Sequence, residues 1–314
     1  MSEILEILEI NDVSAGYADK KGVLKNVSLK ILHNEFFGLV GESGCGKSTL
    51  SRAILGLLPF EGSIRINGIS LQSYSRLERP RAVQAVFQDP LAALNPRKTV
   101  AFTMEEPLKI HRIGTRDERK NAVRRMLSRV GLDDSLLTRY PSELSGGQRQ
   151  RVCIGTSLML QPQLVVADEA VSALDVSVGS QILNLFQEIH SEMDFSLLFI
   201  SHNINVVYYL CDRIAVMFKG RIVEMGTADA VCNHPLHPYT RLLMSAVPDL
   251  DDDTEPKSPL VKFKRAEDVP EGSCGFYRRC PYCTAICEKE SALVNVAKMG
   301  ENEHLVRCHH IYQL

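Results

Sequence analysis

Net charge is the first thing this chain lacks: 36 Lys and Arg stand against 38 Asp and Glu in 314 residues, a formal −2. A near-neutral chain has no global field with which to gather nucleic acid or anionic lipid, so only local patches remain for such partners. Long apolar runs are missing too. The longest, such as Leu164 to Ala167 and Leu197 to Ile200, are strand-sized and far short of the ~20 residues a spanning helix needs. The first residues, Met-Ser-Glu-Ile-Leu-Glu, carry acid where a secretory signal would be basic. The expectation is a cytosolic chain that reaches a membrane only through a partner. Internal repeats are absent, and low complexity is confined to one acidic stretch. A disulfide scaffold is disfavoured as well, because nine cysteines is an odd count and a reducing compartment keeps thiols free. Cys45, Cys153, Cys211 and Cys232 are scattered and read as small packing residues. The other five cluster near the end.

The acidic, proline-flanked stretch from Pro248 to Pro259 cannot bury apolar surface and reads as a linker. It divides the chain into a main domain (1–248), the linker (249–259) and a Cys-rich extension (260–314). In the main domain, Phe36 to Val40 is a short apolar run that feeds a glycine-rich loop and then a helix from Lys47 to about Leu57. Gly62 to Gly68 alternates as a hairpin strand does. Leu164 to Asp168 is a continuous apolar strand ending in acid, as expected of a strand buried on both faces. Ile182, Leu185, Phe186 and Ile189 recur at helical spacing between Val178 and Glu192. Ser196 to Ile200 is the next strand and leads into Ser201 and His202. Strands alternating with helices predict a parallel sheet. The charged segment from about Pro107 to Tyr140 predicts a helical subdomain, within about 90–160.

Gly41-Glu-Ser-Gly-Cys-Gly-Lys-Ser-Thr49 sits between that first strand and helix, which is the context a phosphate-binding loop requires. The backbone N–H groups of Glu42, Ser43, Gly44, Cys45, Gly46, Lys47, Ser48 and Thr49 would form a donor nest at a helix N-terminus. Gly44 and Gly46 would allow close backbone approach. Lys47 brings a point charge to the outer phosphates, and the Ser48 hydroxyl suits Mg²⁺. Asp168, at a strand end, can hold Mg²⁺ through water. Glu169 follows as the group to orient or deprotonate attacking water. His202, just past a buried strand, is placed to contact the γ-phosphate. Gln88 is uncharged and amide-bearing, suited to sensing Mg²⁺ and water, although a lone Gln before Asp-Pro says little. Tyr17 reads as a core aromatic or as an adenine-stacking ring.

Leu144-Ser-Gly-Gly-Gln148 narrows the reading. With the phosphate loop upstream, the segment from about Ile7 to Val247 resembles an ATP-binding-cassette nucleotide-binding domain. The resemblance implies an α/β P-loop NTPase (RecA-like) core with an antiparallel β subdomain and a helical subdomain. It places Tyr17 on adenine and makes Gln88 the hinge glutamine towards membrane subunits. It makes Leu144, Ser145, Gly146, Gly147 and Gln148 the signature that closes over a partner's ATP. Asp168 and Glu169 fall at the acidic pair, Asp175 in the dimer-contact loop of Ser172 to Asp175, and His202 at the switch histidine. Three positions depart from the pattern: Ala170 for proline, Asn203 for Asp and Thr156 for Arg. None removes a phosphate, metal or base contact.

Asp89-Pro-Leu-Ala-Ala-Leu-Asn-Pro-Arg97, Ser172 to Ser177 and His237-Pro-Tyr-Thr240 are similar to the ATPases of oligopeptide, dipeptide and nickel importers. That resemblance implies a peripheral subunit on the cytoplasmic face of the membrane. Its implied partners are a paralogous ATPase in an ATP-sandwich heterodimer, two transmembrane permease subunits and an extracellular or periplasmic peptide-binding protein. No nucleic acid is expected, since the long insertions of repair cassettes and the paired cassettes of ribosomal ones are missing. Nickel or opine cargo stays open. The tail resembles one that holds a four-iron, four-sulfur cluster on Cys274, Cys280, Cys287 and Cys308. Four thiolates also suit structural Zn²⁺, although spacings of five and six are unlike zinc knuckles. Cys283 makes Cys-Pro-Tyr-Cys with Cys280, but no strand is expected before it, which argues against a thioredoxin-like redox unit.

Overall fold

The computed structural model describes residues 6–19, 22–245, 272–298 and 302–311, so the predicted linker lies outside the described residues. In chain order the strands are β1 (Glu6–Ala15), β2 (Leu24–Leu32), β3 (Phe36–Val40), β4 (Phe60–Ile66), β5 (Ile69–Ser70), β6 (Val83–Val86), β7 (Leu164–Asp168), β8 (Ser196–Ser201), β9 (Arg213–Phe218), β10 (Arg221–Thr227), β11 (Val294–Asn295) and β12 (Leu305–Val306). The α-helices are α1 (Lys47–Ile54), α2 (Arg79–Ala82), α3 (Pro90–Ala93), α4 (Val100–Ile110), α5 (Arg116–Arg129), α6 (Gly146–Leu158), α7 (Val176–Glu192), α8 (Ile204–Leu210), α9 (Ala228–Asn233) and α10 (Pro238–Ser245). An antiparallel sheet runs β2-β1-β4-β5, and a larger mixed sheet runs β11-β12-β10-β9-β3-β8-β7-β6.

Neighbours from β6 to β9 in the large sheet are parallel, which requires long crossovers and buries both faces. That is why these strands are apolar without alternation. Their side chains nevertheless divide by parity. Phe37, Leu39, Val166, Leu198, Ile200, Ala215 and Met217 pack on one face with the antiparallel sheet and α1. Phe36, Val40, Val165, Ala167, Leu197, Phe199, Ile214 and Val216 pack on the other with the helices. A period of two, invisible in the hydrophobicity, separates two cores.

Helices α3 to α6 lie between β6 and β7, as the charged segment led one to expect. Their buried side chains, including Met104, Val123, Leu127 and Ile154, are continuous with the helical-side core. Thr115 and Glu118 form a reciprocal capping box at the start of α5, so that helix is specified locally as well as by packing. The short strand β12 pairs antiparallel with β10, through Glu224 opposite Val306 and Met225 opposite Leu305. The C-terminal segment therefore extends the core sheet and covers an edge that would otherwise be open.

Candidate functional site

The carboxyl ends of parallel strands deliver the functional side chains to one edge of the sheet, where α/β folds place ligands. The central strand β3 runs straight into the loop 41–49, and α1 begins at Lys47. Gly44 and Gly46 have φ of +76° and +117°. Their requirement is thus a left-handed backbone, beyond the close approach expected from the sequence. Lys47 is buried, and its Nζ donates to the carbonyls of Gly41 at 2.7 Å and Glu42 at 3.1 Å. A cation held over a loop by its own carbonyls can exchange them for phosphate oxygens. The Cys45 N–H donates to the Glu42 carbonyl at 3.2 Å, and the Glu42 N–H donates to Tyr239 Oη at 2.9 Å. Two N–H groups expected in the anion nest are therefore engaged within the protein.

Asp168 ends β7, and the Ser48 hydroxyl donates to its Oδ1 at 3.3 Å. The two oxygens assigned to Mg²⁺ thus converge across 120 residues of sequence. Burial pushes the Asp168 carboxyl above its ordinary range, and the Ser48 hydrogen bond opposes that shift. Glu169 carries φ of +53°, a left-handed conformation rare outside glycine and costing about 1–3 kcal/mol. Its N–H donates to the Ile200 carbonyl at 2.9 Å, which locks the strained turn onto β8. The turn aims Glu169 Oε2 at His202 Nδ1, 3.5 Å away. Gln88 follows β6 at this same carboxyl edge and is exposed. Tyr17 Oη lies 3.4 Å from Thr49 Oγ1 and accepts from Arg52 Nη1 at 2.9 Å. It borders an open cleft of about 470 Å³ with Gly22, Pro59 and Phe60.

Ser145 N-caps α6. Its hydroxyl accepts from the Gln148 N–H at 3.2 Å, while Gln148 Oε1 accepts from the Ser145 N–H at 2.9 Å. Leu144 is buried, Ser145 is exposed, and Gly146 to Gln148 at the helix N-terminus are half-buried. At Gly147 a Cβ would lie 2.7 Å from Val178 Cγ1, so glycine there lets α6 approach α7. Gly146 needs no such allowance. Asp175 caps α7, its Oδ1 accepting from the Val178 N–H at 2.9 Å, beside the exposed Val176. The departures are accommodated: Asn203 caps α8 as an Asp would, and Thr156 bonds the Val152 carbonyl within α6.

The tail differs most from expectation. Cys274, Cys280, Cys287 and Cys308 do line one cavity, together with His237, Phe276 and His310. That cavity holds only about 10 Å³, roughly room for one water-sized sphere. Among the described residues, no group of three or more His, Cys, Asp or Glu side chains is disposed to hold a metal ion. The expected cluster therefore gains no support from the structure. Apolar packing instead raises the thiols, Cys280 to about 12 and Cys283 to about 11, chiefly through burial. Single-turn 3₁₀ segments flank Cys-Pro-Tyr-Cys, at Tyr277–Arg279 and Ala285–Glu288, which is no thioredoxin-like context.

Sequence reasoning gave His237-Pro-Tyr-Thr240 no task, and it passed over Glu224, Phe276 and Arg279. Tyr239 is fully buried, with its ring against Phe218 and Phe276 and its hydroxyl on the phosphate loop. Glu224, fully buried on β10, accepts from the N–H groups of Leu236 and His237 and pairs with His304 at 2.8 Å. A lone acid in an apolar strand was the available signal. His237 is held down to about 4 by burial, against an ordinary 6.5. A base depressed in the fold protonates more readily when unfolded. Stability should therefore be complete above pH ~6.5 and fall as pH drops toward ~4, by at most ~1.4 kcal/mol per unit. Urea midpoints measured across that window should show the slope, and His237→Asn, which keeps an acceptor for the Tyr239 N–H, should flatten it.

Comparison with known proteins gives concordant results. Residues 24–172 match the ABC transporter family, and 223–287 match the oligopeptide/dipeptide transporter C-terminal region. The di/tripeptide transport ATP-binding protein DppF of Pseudomonas aeruginosa is 40% identical, over 98% of this chain and 98% of its own length. The oligopeptide transport ATP-binding protein OppF of Escherichia coli is 41% identical, over 96% and 95% respectively. Among solved structures, cbiO1 from Clostridium perfringens superposes with a TM-score of 0.67 at 28% identity, covering 73% of this chain and 92% of its own. The ATP-binding cassette MJ0796, in a dimeric post-hydrolysis state with ADP and phosphate, gives 0.64 at 28%, covering 70% and 98%.

Proposed function

This chain belongs to the ATP-binding-cassette ATPase subunits of oligopeptide and dipeptide transporters, and we propose that Lys47, Ser48, Asp168, Glu169 and His202 carry out its ATP hydrolysis. It is an ATPase, and its turnover energises peptide import. One observation supports the division of labour above others. Ser48 with Asp168, at 3.3 Å, and Glu169 with His202, at 3.5 Å, meet on the edge from which the Lys47 loop springs.

Lys47 leaves the Gly41 and Glu42 carbonyls for the outer phosphates, whose charge it neutralises. Ser48, Asp168 and Gln88 would hold Mg²⁺, which supplies further neutralisation of the triphosphate. Glu169 orients the attacking water and accepts its proton, and His202 keeps that carboxylate aimed at the water. Tyr17 would stack on the adenine. The N-terminus of α6 supplies donors for an anion, so Leu144 to Gln148 would close over ATP held by a second cassette, with Asp175 and Val176 at the seam. That second cassette is read as a paralogous subunit beneath two permease subunits fed by a peptide-binding protein. Among the described residues no helix is long and apolar enough to cross a membrane, and a peripheral position at the cytoplasmic face fits that finding.

The division of the chain at 249–259 is kept, with 272–298 and 302–311 docked on the main body. Cys274, Cys280, Cys287 and Cys308 have the donor chemistry for a four-iron cluster or for Zn²⁺, but their present packing does not fit either group, and no step is assigned to one. Iron, zinc and acid-labile sulfide assayed in anaerobically purified protein would decide whether the tail takes a metal.

The functional test is reconstitution with the permease and peptide-binding subunits in vesicles. ATP-dependent peptide uptake that vanishes when this chain is omitted is the expected result. Uptake that persists without it would refute the role.

A further inference from the structure

Arg279 lies in the Cys-rich extension, yet its guanidinium reaches the phosphate loop. Nη1 donates to Glu42 Oε2 at 2.8 Å and Nη2 donates to Glu42 Oε1 at 2.7 Å. This is a fork-on-fork pair, the geometry in which arginine is strongest. The guanidinium is positioned by aromatic rings, with Cζ 5.5 Å from the Phe276 centroid and 5.8 Å from that of Phe218. Phe276 is itself buried edge-on against Phe218 and beside Tyr239.

Besides the Cys45 N–H on its carbonyl, Glu42 is held at three further points. Its N–H goes to Tyr239 Oη, its carbonyl receives Lys47 Nζ, and its carboxylate takes Arg279. When Lys47 turns to a triphosphate, one of those anchors is lost. The two supplied from the C-terminal part of the chain, with the local Cys45 bond, remain to keep the loop in shape. Charge points the same way. A carboxylate on the loop opposes an incoming polyanion, and a guanidinium paired with it cancels that repulsion. Half-exposed ion pairs contribute little to stability as such. This one borders the phosphate site, where its effect falls on binding.

We propose that Arg279 is a positioning residue for ATP binding, acting through Glu42 chiefly by cancelling its charge beside the phosphate site, and that the C-terminal extension thereby sets the affinity of the phosphate loop. The proposal rests on the assignment of 41–49 as the triphosphate loop.

The test titrates full-length protein with trinitrophenyl-ATP and records thermal midpoints in parallel. Arg279→Ala should weaken binding about tenfold, the scale of one charge-assisted hydrogen bond. Arg279→Lys, which keeps the charge but not the fork, should fall between Arg279→Ala and the parent. The decisive variant is Arg279→Ala with Glu42→Gln. Removing the uncompensated carboxylate should restore affinity to within about threefold of the parent. A purely structural tie predicts no such recovery, since both partners are then gone. The proposal is overturned if Arg279→Ala binds within a factor of about two of the parent, or if the double variant binds no better than the single one. Lys47→Ala serves as the reference in the same assay. Should it bind normally, the loop assignment itself is wrong. Should it lose binding while Arg279→Ala does not, only the positioning role fails.

Discussion

Glu169→Gln should retain ATP and lose its hydrolysis. The amide preserves size and can still hydrogen-bond His202, which sits 3.5 Å from the carboxylate in the parent, but it cannot take a proton from water. A positioned base contributes about 10²–10⁴ in rate, so turnover in the assembled transporter should drop by that factor. The Kd for ATP should stay within about twofold, because Lys47, Ser48 and the loop are untouched. Single-turnover hydrolysis and equilibrium binding measured on one preparation separate these quantities. Gel filtration with ATP and Mg²⁺ should also show the variant trapped as a dimer. Unchanged turnover would remove Glu169 from the chemistry. The left-handed φ of +53° would then need another explanation, since a strained turn anchored to Ile200 is a costly way to present an idle side chain.

Lys47→Ala should have the other large effect, on binding. The Nζ is buried and donates to loop carbonyls at 2.7 and 3.1 Å, so alanine removes the cation that the loop holds ready for the outer phosphates. Charge-assisted hydrogen bonds contribute about 1.5–3 kcal/mol each, and losing two should weaken ATP by about 10²–10⁴. Calorimetric titration is the direct measurement. Alanine also takes the Lys47 donor from the Gly41 and Glu42 carbonyls, so a lower thermal midpoint should accompany the loss. Affinity within tenfold of the parent would contradict the assignment of the loop.

Much of the candidate site is legible in the sequence, because its parts are local. A phosphate loop is strand, glycines and helix in succession, and all three show in 36–54. Asp168 and Glu169 announce themselves as acids at the end of an apolar strand. The capping box of Ser145 and Gln148 lies within four residues. Long-range associations were less legible. Nothing in the spacing says that the Ser48 hydroxyl lands on Asp168, although both were assigned to one cation. Tyr239 looked like a residue of a subfamily motif, and its hydroxyl proves to tether a loop 197 positions earlier. The tail illustrates the opposite failure. Four cysteines share one cavity, as their grouping implied, but proximity alone does not make a ligand set, and burial with Phe276 fills the space.

Residue order alone pointed to the phosphate-loop strand and helix, to the acid-tipped strand and to the residue types at the candidate site. Period and punctuation act through the nearest few residues, so loop, strand ends, caps and the signature helix were all settled by neighbours. Folding in three dimensions added the couplings. Parity along β3, β7, β8 and β9 splits one apolar set into two cores, and β12 closes the sheet beside β10. Arg279 meets Glu42 across 237 positions because Phe276 and Tyr239 pack on Phe218 and carry the extension to the loop. Such a meeting depends on the shape of a packed surface, which no local pattern encodes.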